Sequence, residues 1–271
     1  MSALDTVAGW PVERAAVGVT RPDAIVEAVG EPDEPFALAS VTKLFSAYAV
    51  LVAIEEGTVG LDEPAGPDGS TVRHLLAHAS GLPPEAGGPV GRVGVRRIYS
   101  NLGFEVLGAT VEERSGMSFA DYLHEAVSGP LALTSFELAG SPASGGSCSL
   151  ADLLAFAREL LDPAILSPAT VAEATTVAFP GLSGVLPGFG RQDPNDWGLG
   201  FELRDHKSPH WTGSRNSPAA FGHFGRSGTF LWVDPEIEIA CAALTNRDFG
   251  PWAVEVWPAL SNAVVAEFSV R

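Results

Sequence analysis

The pattern of hydrophobic and polar positions predicts strands at both ends of the chain. Residues 15–29 contain two short apolar runs around Arg21-Pro22-Asp23, which predicts two strands joined by a turn. From Trp197 onward, the segments WGLGFELR, FGHFG, GTFLWVDP and EIEIACAALTNR are again typical of strands. A last helix, WAVEVWPALSNAVVAEF, closes the chain and is expected to kink at Pro258.

Helical spacing fills the middle of the chain. Thr71, Ser118 and Ser149 each precede a helical pattern as capping residues, and the first of these helices is expected to end near Ser80-Gly81. A further helix is expected to end before Gly116. Loops rich in glycine and proline separate these helices.

Strands at both ends with helices between them predict an α/β (α+β) fold. We expect an antiparallel sheet built from both termini and flanked by helices, with a mostly helical inserted subdomain. The chain is predicted to be a single domain, 1–271, with an α/β part (1–60 and 197–271) and a helical part (61–196). A crevice between the two parts is the expected place for a small-molecule site.

The segment Phe36–Ile54, FALASVTKLFSAYAVLVAI, predicts the most buried helix, yet it carries one charged residue, Lys43. An unpaired buried amine is strongly unfavourable. Ser40 lies three residues earlier, on the same helical face. If Ser40 opens the helix, its hydroxyl meets the free N–H groups there, and a desolvated Lys43 can act as its base. Alternatively, Ser40 only caps the helix and Lys43 extends to water.

Composition narrows the classes of function. A formal net charge of −17 argues against binding to nucleic acid or to an anionic membrane. Two cysteines without metal-ligand spacing predict buried thiols. The segment at Asp5 has neither the basic residues nor the apolar run of a signal peptide, and Lys43 interrupts the longest apolar segment. We therefore expect a cytoplasmic protein.

Two later triplets give Ser40 and Lys43 a context. YSN, residues 99–101, follows a glycine-rich loop, and HFG, residues 223–225, lies on a predicted strand. Together with SxxK at residues 40–43, they resemble the serine β-lactamase and penicillin-binding protein superfamily, most closely its class C β-lactamase-like branch with esterases and DD-peptidases. The connecting segments TVRHLLAHASGLP, GMSFADYLHEAVSGPLALTS and VDPEIEIACAALTNR are also similar to the family's, in its order. The resemblance implies a β-lactamase/DD-peptidase-like fold.

The resemblance also implies roles for individual residues. Ser40 is then the acylated nucleophile and Lys43 its hydrogen-bonded base partner. Tyr99 shares the proton transfer, and for that role its phenolic pKa must fall well below ~10. Asn101 binds Lys43 and the acyl side chain of the substrate. Considered without the resemblance, Tyr99 is a core aromatic and Asn101 a turn or capping residue.

The third motif implies the rest of the site. Substrate binding falls to His223, Phe224, Gly225 and Arg226, and the backbone N–H groups of Ser40 and Arg226 form the oxyanion hole. The alternative for His223 is a structural histidine on a strand. The resemblance implies no metal and no organic cofactor.

The third motif also departs from the family's common KTG. A mostly neutral His223 replaces the lysine, and Phe224 removes the hydroxyl that helps to hold a substrate carboxylate. Such a site discriminates poorly for carboxylate-bearing substrates, unless Arg226 restores the charge.

We therefore expect a serine esterase for small or medium acyl esters. The alternatives are a weak β-lactamase or D-amino-acid peptidase, and an inactive ligand-binding protein on the same fold. The expected partner is a small-molecule ester, amide or lactam, and the oligomeric state stays open.

Five other positions carry minor expectations. His74 and His78 have helical spacing without the glutamate of a zinc motif, which predicts a structural helix. His210 lies in a polar stretch and is expected to be solvated. Trp197 and Trp211 are expected to contact substrate.

Overall fold

The structure is a computed structural model that describes residues 2–269, and its largest element is a six-stranded antiparallel sheet. The eleven strands of this part of the chain are β1 (Ala15–Thr20), β2 (Ile25–Val29), β3 (Phe36–Ala37), β4 (Glu137–Leu138), β5 (Gly146–Cys148), β6 (Gly184–Leu186), β7 (Gly190–Gln192), β8 (Glu202–Leu203), β9 (Phe221–Gly225), β10 (Thr229–Asp234) and β11 (Ile239–Thr245). The large sheet has the order β2-β1-β11-β10-β9-β8. It takes strands from both ends of the chain, which confirms the predicted fold class.

Smaller sheets and the helices complete the architecture. Strands β3, β5 and β4 form one small sheet, and β6 and β7 form a hairpin. The α-helices of residues 2–269 are α1 (Thr42–Glu55), α2 (Val72–Leu76), α3 (Asn101–Ser115), α4 (Phe119–Leu123), α5 (Leu150–Leu161), α6 (Pro168–Ala174) and α7 (Pro251–Phe268). Two 3-10 helices, Ala3–Gly9 and Ala39–Val41, and a π turn, His124–Ser128, lie between them.

The central strands are buried on both faces, because successive side chains point to opposite sides of a sheet. Leu231 and Val233 of β10 join the core that contains α1 and α5. Phe230 and Trp232 of the same strand join a second core with α7 and the N-terminal 3-10 helix. The sheet is therefore the middle layer between two packed layers.

The apolar segment at Phe36–Ile54 is not one helix. Phe36 pairs with Cys148 in a short ladder, so the segment starts as strand β3. Ala39 has φ 45°, which an α-helix cannot include, and α1 begins only at Thr42. The helix ends at Glu55, two residues before Gly57, whose φ of 76° suits glycine. Ser40 consequently lies in a 3-10 turn ahead of α1 rather than at its first residue.

Two other elements differ from the expectation. Helix α2 ends at Leu76, because His78 has φ 53° and cannot continue it. In WGLGFELR only Glu202–Leu203 is strand, since the N–H groups of Leu199 and Gly200 bond to Ala174 and Leu76 in the helical layer. Helix α7 contains Pro258 in its interior, and the kink expected there stays a prediction.

The helical part is not a continuous insertion from 61 to 196. Helix α5 lies inside that range but packs on β11 and β1, and Leu154 contacts Gly18 of the sheet. It therefore belongs to the α/β layers. Among residues 2–269, no helix has both the length and the apolar character to cross a membrane.

Candidate active site

Ser40 lies in the 3-10 turn between β3 and α1, at the edge of a cavity of about 270 Å³. Its hydroxyl oxygen accepts a hydrogen bond from the Tyr99 hydroxyl at 2.7 Å. The positive φ of Ala39 turns the chain directly before Ser40. A single residue in this unfavourable region persists only where its surroundings hold it.

The turn after β9 supplies that support. The Ser227 hydroxyl donates to the Ala37 carbonyl at 2.6 Å, and the Thr229 hydroxyl donates to the Leu38 carbonyl at 2.9 Å. A Cβ on Gly225 would lie 2.3 Å from the Leu38 carbonyl oxygen, so only glycine allows this approach. The backbone at residue 226 is thereby held beside the backbone at Ser40. The oxyanion hole from these two N–H groups stays a prediction.

Lys43 is fully buried, and it lies on α1 beneath Ser40. Its Nζ donates to Asn101 Oδ1 at 2.6 Å and to the Ala143 carbonyl at 2.8 Å, and it lies 3.5 Å from Ser40 Oγ. A neutral amine has two N–H bonds and one lone pair. With both N–H groups bound to oxygen acceptors, the remaining position of Nζ faces the Ser40 hydroxyl.

Burial lowers the pKa of Lys43 to about 7, against the opposing influence of Glu85 and Glu105. A large part of the population is therefore a free amine at neutral pH. A base with a pKa near the working pH is well suited to proton transfer. Geometry and protonation both make Lys43 able to accept the Ser40 proton.

Tyr99 does not meet the condition set from the sequence. Burial raises the pKa of Tyr99 above its usual value, the hydrogen bond with Ser40 lowers it, and Glu85 raises it further. The pKa of Tyr99 therefore lies above its ordinary value and not below it as expected, because burial outweighs the hydrogen bond with Ser40. Tyr99 is a protonated donor to Ser40 Oγ at rest.

Asn101 is the first residue of α3 and is held there by its neighbour. Ser100 caps the helix by accepting from the Gly103 N–H at 2.9 Å, and its hydroxyl donates to the Pro83 carbonyl at 2.6 Å. The Asn101 side chain accepts from Lys43 and donates to Glu85 at 3.0 Å. The YSN triplet thus places the Tyr99 hydroxyl against Ser40 and the Asn101 side chain against Lys43.

His223 is buried on β9 at the back of the cavity. Its Nδ1–H donates to the Phe224 carbonyl at 2.6 Å, and its Nε2 has no partner within residues 2–269. Burial, and then the nearby Lys43, lower the pKa of His223 to about 3. The imidazole is consequently neutral and presents an unused lone pair in the site, with its ring 5.7 Å from that of Tyr99.

The other two residues of the third motif have different positions. Phe224 is a wall of the cavity, and its ring packs on Phe249 at 4.9 Å. The Arg226 side chain is 88% exposed at the cavity rim, and its Nε lies 3.9 Å from Asp248. Solvent and the nearby Asp248 reduce the attraction between this guanidinium and a substrate carboxylate, so Arg226 is a poor substitute for the lysine of KTG.

Several lining residues could not be found from the sequence. The Ala143 carbonyl that binds Lys43 belongs to the loop SPASGGS, and a backbone oxygen leaves no signal in the sequence. Leu186, Pro187 and Phe249 line the cavity without any motif. Trp197 lines it as expected, whereas Trp211 is buried in the second core against Phe224 and Phe230.

A buried ionic cluster lies behind the cavity. Lys207 Nζ donates to Glu202 Oε1 and to the carbonyls of Asp196 and Leu203. Glu202 Oε2 accepts from His210 at 2.9 Å and from the Trp211 indole at 2.8 Å. The expectation of a solvated His210 is wrong, because its side chain is buried and hydrogen-bonded to this carboxylate.

The protonation of this cluster follows from its contacts. Burial opposes ionisation of Glu202, yet His210 and Lys207 hold its pKa at about 2. Burial lowers the pKa of Lys207, and the facing Glu202 carboxylate opposes that shift. The two side chains therefore form an ion pair. Glu202 also borders the cavity, so the cluster supports one of its walls.

His74 of α2 and His78, which follows that helix, are engaged in other contacts. His74 Nδ1 hydrogen-bonds the Thr71 hydroxyl at 2.9 Å, and its ring stacks on Phe179. His78 Nδ1 accepts from the Ser100 N–H at 3.2 Å. Among residues 2–269, no three histidine, cysteine, aspartate or glutamate side chains are grouped as metal ligands.

Comparison with known proteins gives the family of the chain. The family model described as Beta-lactamase matches residues 1–265. Penicillin-binding protein 4* of Bacillus subtilis (strain 168) is 30% identical over 125 residues, which cover 34% of this chain and 28% of that protein.

Solved structures agree with the fold. A beta-lactamase from Mycobacterium bovis has 53% identity and a TM-score of 0.98, with 99% of this chain and 100% of that chain covered. EstCE1, a hydrolase with promiscuous acyltransferase activity, has 18% identity and a TM-score of 0.77, with 97% and 96% covered. At that identity, the second likeness shows the fold alone.

Proposed function

The chain belongs to the beta-lactamase family of serine hydrolases, and we propose that within it this protein is an esterase that acts through an acyl-enzyme on Ser40. The observation that carries the proposal is the wall formed by Phe224 and neutral His223. Neither side chain offers the cation or hydroxyl that would hold a carboxylate beside the nucleophile. A neutral ester needs neither group.

In the proposed acylation step, Ser40 Oγ bonds to the ester carbonyl carbon while its proton passes to the Lys43 amine. The backbone N–H groups of Ser40 and Arg226 stabilise the negative oxygen. The bond from carbon to the alcohol oxygen then breaks. The alcohol takes a proton from the Tyr99 hydroxyl as Tyr99 receives one from the Lys43 ammonium, so the phenol relays a proton without becoming a phenolate and needs no lowered pKa for this step.

Deacylation repeats the step with water. Lys43 accepts a proton from a water molecule through the Tyr99 hydroxyl, and the resulting hydroxide bonds to the acyl carbon. The bond to Ser40 Oγ breaks, and Oγ recovers its proton. Lys43 ends as a free amine, so each cycle balances.

A test compares p-nitrophenyl butyrate turnover by the native protein and by Ser40→Ala, with intact mass to detect an acyl adduct. We expect turnover that the variant loses and an added butyryl group on the native chain. Turnover that persists in Ser40→Ala contradicts the proposal. If neither this ester nor nitrocefin is turned over and no adduct forms, a ligand-binding member of the family is favoured instead.

β-Lactam hydrolysis is the second candidate, because the 53%-identical M. bovis structure bears the name beta-lactamase. Nitrocefin distinguishes the two. We expect turnover of nitrocefin at least 100-fold below that of the ester, since a binding group for the carboxylate is worth roughly that much in a buried site. Comparable kcat/KM for both substrates would instead favour the lactamase.

A further inference from the structure

A second, larger cleft opens beside the catalytic cavity. Its volume is about 430 Å³, and Tyr99 and Pro187 line both spaces. One wall comes from the loop before Tyr99, and the other comes from the β6–β7 hairpin. A substrate held at Ser40 therefore has room to extend past Tyr99 into this outer cleft.

The walls of the outer cleft are apolar. Val90 and Val185 line it although 58% and 61% of their surfaces are exposed to solvent. Pro84 and Ile98 extend the same surface. Such walls suit a hydrocarbon segment, since covering them removes apolar surface from water.

The floor of the outer cleft contains a buried cation. Arg97 is 3% exposed, and its guanidinium donates to the carbonyls of Ala77, Ala178, Phe179 and Asn195. These acceptors satisfy its N–H groups but bring no negative charge, and Arg97 has no ion pair within residues 2–269.

The charge of Arg97 is only partly offset. Burial lowers its pKa to about 10, with Asp196 opposing, so it stays a cation at neutral pH. Burial and the hydrogen bond with Asp205 raise the pKa of Asp196. A buried charge without a full counterion favours an anion in the adjoining space.

Two more arginines stand at the rim of the outer cleft. Arg96 is exposed and has no hydrogen-bond or ion-pair partner in the described part of the chain. Arg191 also lines the cleft and meets Asp193 at 3.1 Å, with both side chains largely in solvent. Among residues 2–269, no acidic side chain lines the cleft, although the whole chain carries a net charge of −17. The cleft is thus a positive region on an acidic protein.

We propose that the outer cleft binds a carboxylate at the far end of the substrate, with Arg96 and Arg191 as the recognition groups and Arg97 beneath them. This inference rests on the proposed esterase function and names its substrate class: an ester with a hydrocarbon segment that ends in a carboxylate. Guanidinium groups match carboxylates in a two-point geometry, and the apolar walls hold the segment between. The carboxylate belongs either to the acyl chain or to the alcohol.

The experiment uses three chromogenic esters of matched size. Mono-4-nitrophenyl adipate carries the carboxylate on the acyl chain, 3-carboxy-4-nitrophenyl hexanoate carries it on the leaving group, and 4-nitrophenyl hexanoate is neutral. Native protein, the double variant Arg96→Gln/Arg191→Gln and the control Arg92→Gln are compared. Arg92 is exposed on the same loop but does not line the cleft. Each kcat/KM is expressed as a ratio to the neutral ester, which cancels differences in folded fraction.

We expect one anionic ester to exceed the neutral one by about tenfold in the native protein. The ratio should fall to about one in the double variant and at high salt, and persist in Arg92→Gln. The ester that is preferred tells which side of the substrate occupies the cleft. Ratios of one or less for both anionic esters, or a preference that survives the double substitution, would overturn the inference.

Binding separates this inference from the proposed function. Calorimetric titration of Ser40→Ala with the same esters measures affinity without turnover. A preference for an anionic ester there supports the cleft even if the native protein hydrolyses nothing, whereas equal affinities overturn it. If the native protein turns over only the neutral ester, and Ser40→Ala binds the neutral and anionic esters equally well, the esterase proposal stands. The proposed carboxylate site in the outer cleft is then wrong.

Discussion

The two lysines of the chain, Lys43 and Lys207, are both buried, yet their surroundings make them opposites. Lys207 faces three acceptors that cannot donate: a carboxylate oxygen and two carbonyl oxygens. All three N–H bonds of an ammonium are used, so the proton is held. Lys43 faces an amide oxygen, a carbonyl oxygen and the Ser40 hydroxyl, which can itself donate.

This contrast shows how the partner set decides the role of a buried amine. A carboxylate partner keeps Lys207 charged and makes it part of the structure. The absence of a bonded carboxylate lets burial lower the pKa of Lys43 to about 7 and makes it a base. Each of the following experiments changes one side of this comparison.

The largest effect is expected from removing the base. Lys43→Met should lower kcat/KM for p-nitrophenyl butyrate by about 10³-fold, because the Ser40 proton then has no acceptor. Lys43→Arg should lose as much, since a guanidinium keeps its proton. Thermal unfolding verifies that both variants are folded. Either variant with activity within tenfold of native would show that Lys43 is not the base.

Breaking the ion pair between Lys207 and Glu202 should lower the stability of the protein more than its catalytic activity. Lys207→Met leaves the Glu202 charge buried without its partner, and we expect the free energy of unfolding to fall by about 3–5 kcal/mol. Urea denaturation measures this change. Adding Glu202→Gln should recover part of the loss, because it removes the stranded charge. A double variant whose loss equals the sum of the two single losses would mean that the pair is not coupled.

The pH dependence of stability should distinguish Lys43 without any substrate. Its folded-state pKa of about 7 lies below the ~10.4 of an unfolded lysine, so between these values the unfolded chain binds more protons. Stability therefore rises with pH in that window. From pH 7 to 9 the native protein should gain about 2 kcal/mol relative to Lys43→Met. If the free energy of unfolding changes with pH equally in the native protein and in Lys43→Met, the pKa of Lys43 is not lowered.

The smallest change in activity is expected from giving Lys43 a carboxylate partner, as Lys207 has in Glu202. Asn101→Asp places a carboxylate at the atom that Lys43 contacts at 2.6 Å, and should raise the pKa of Lys43 by about one pH unit or more. The midpoint of kcat/KM against pH should move up from about 7, with roughly tenfold less activity at pH 7. Asn101→Ala, which adds no charge, should not move the midpoint upward. If the midpoint does not move in Asn101→Asp, the ionisation that controls kcat/KM is not that of Lys43.

Much of the fold could be predicted because it follows from local pattern. Short apolar runs bounded by turns at both ends of the chain predict the sheet, and capping residues such as Ser118 and Ser149 predict helix starts that the structure confirms. The failures lie where tertiary contacts override pattern. Pairing of Phe36 with Cys148 takes residues from the apolar helix, and bonds to Ala174 and Leu76 take WGLGF from the sheet.

The candidate site divides along the same line. Ser40, Lys43, Tyr99, Asn101 and His223 are brought together as the motifs predict. The direction of the Tyr99 pKa shift could not be predicted, because it depends on burial, which no motif indicates. The contact between Lys43 and the Ala143 carbonyl could not be predicted either, because a backbone oxygen carries no sequence signal. The Glu202 cluster joins residues whose spacing matches no motif.

With both lysines enclosed, the charged surface of residues 2–269 is made of carboxylates and arginines. A lysine-directed acylating reagent therefore meets no exposed side-chain amine among residues 2–269 while the fold is intact, because Lys43 is fully buried under Ser40 and Lys207 is held in its ion pair. Acylation of either lysine requires the structure around it to open first. The rate of lysine labelling consequently reports how often the folded chain opens, which turns a scarcity of lysine into a measure of local unfolding.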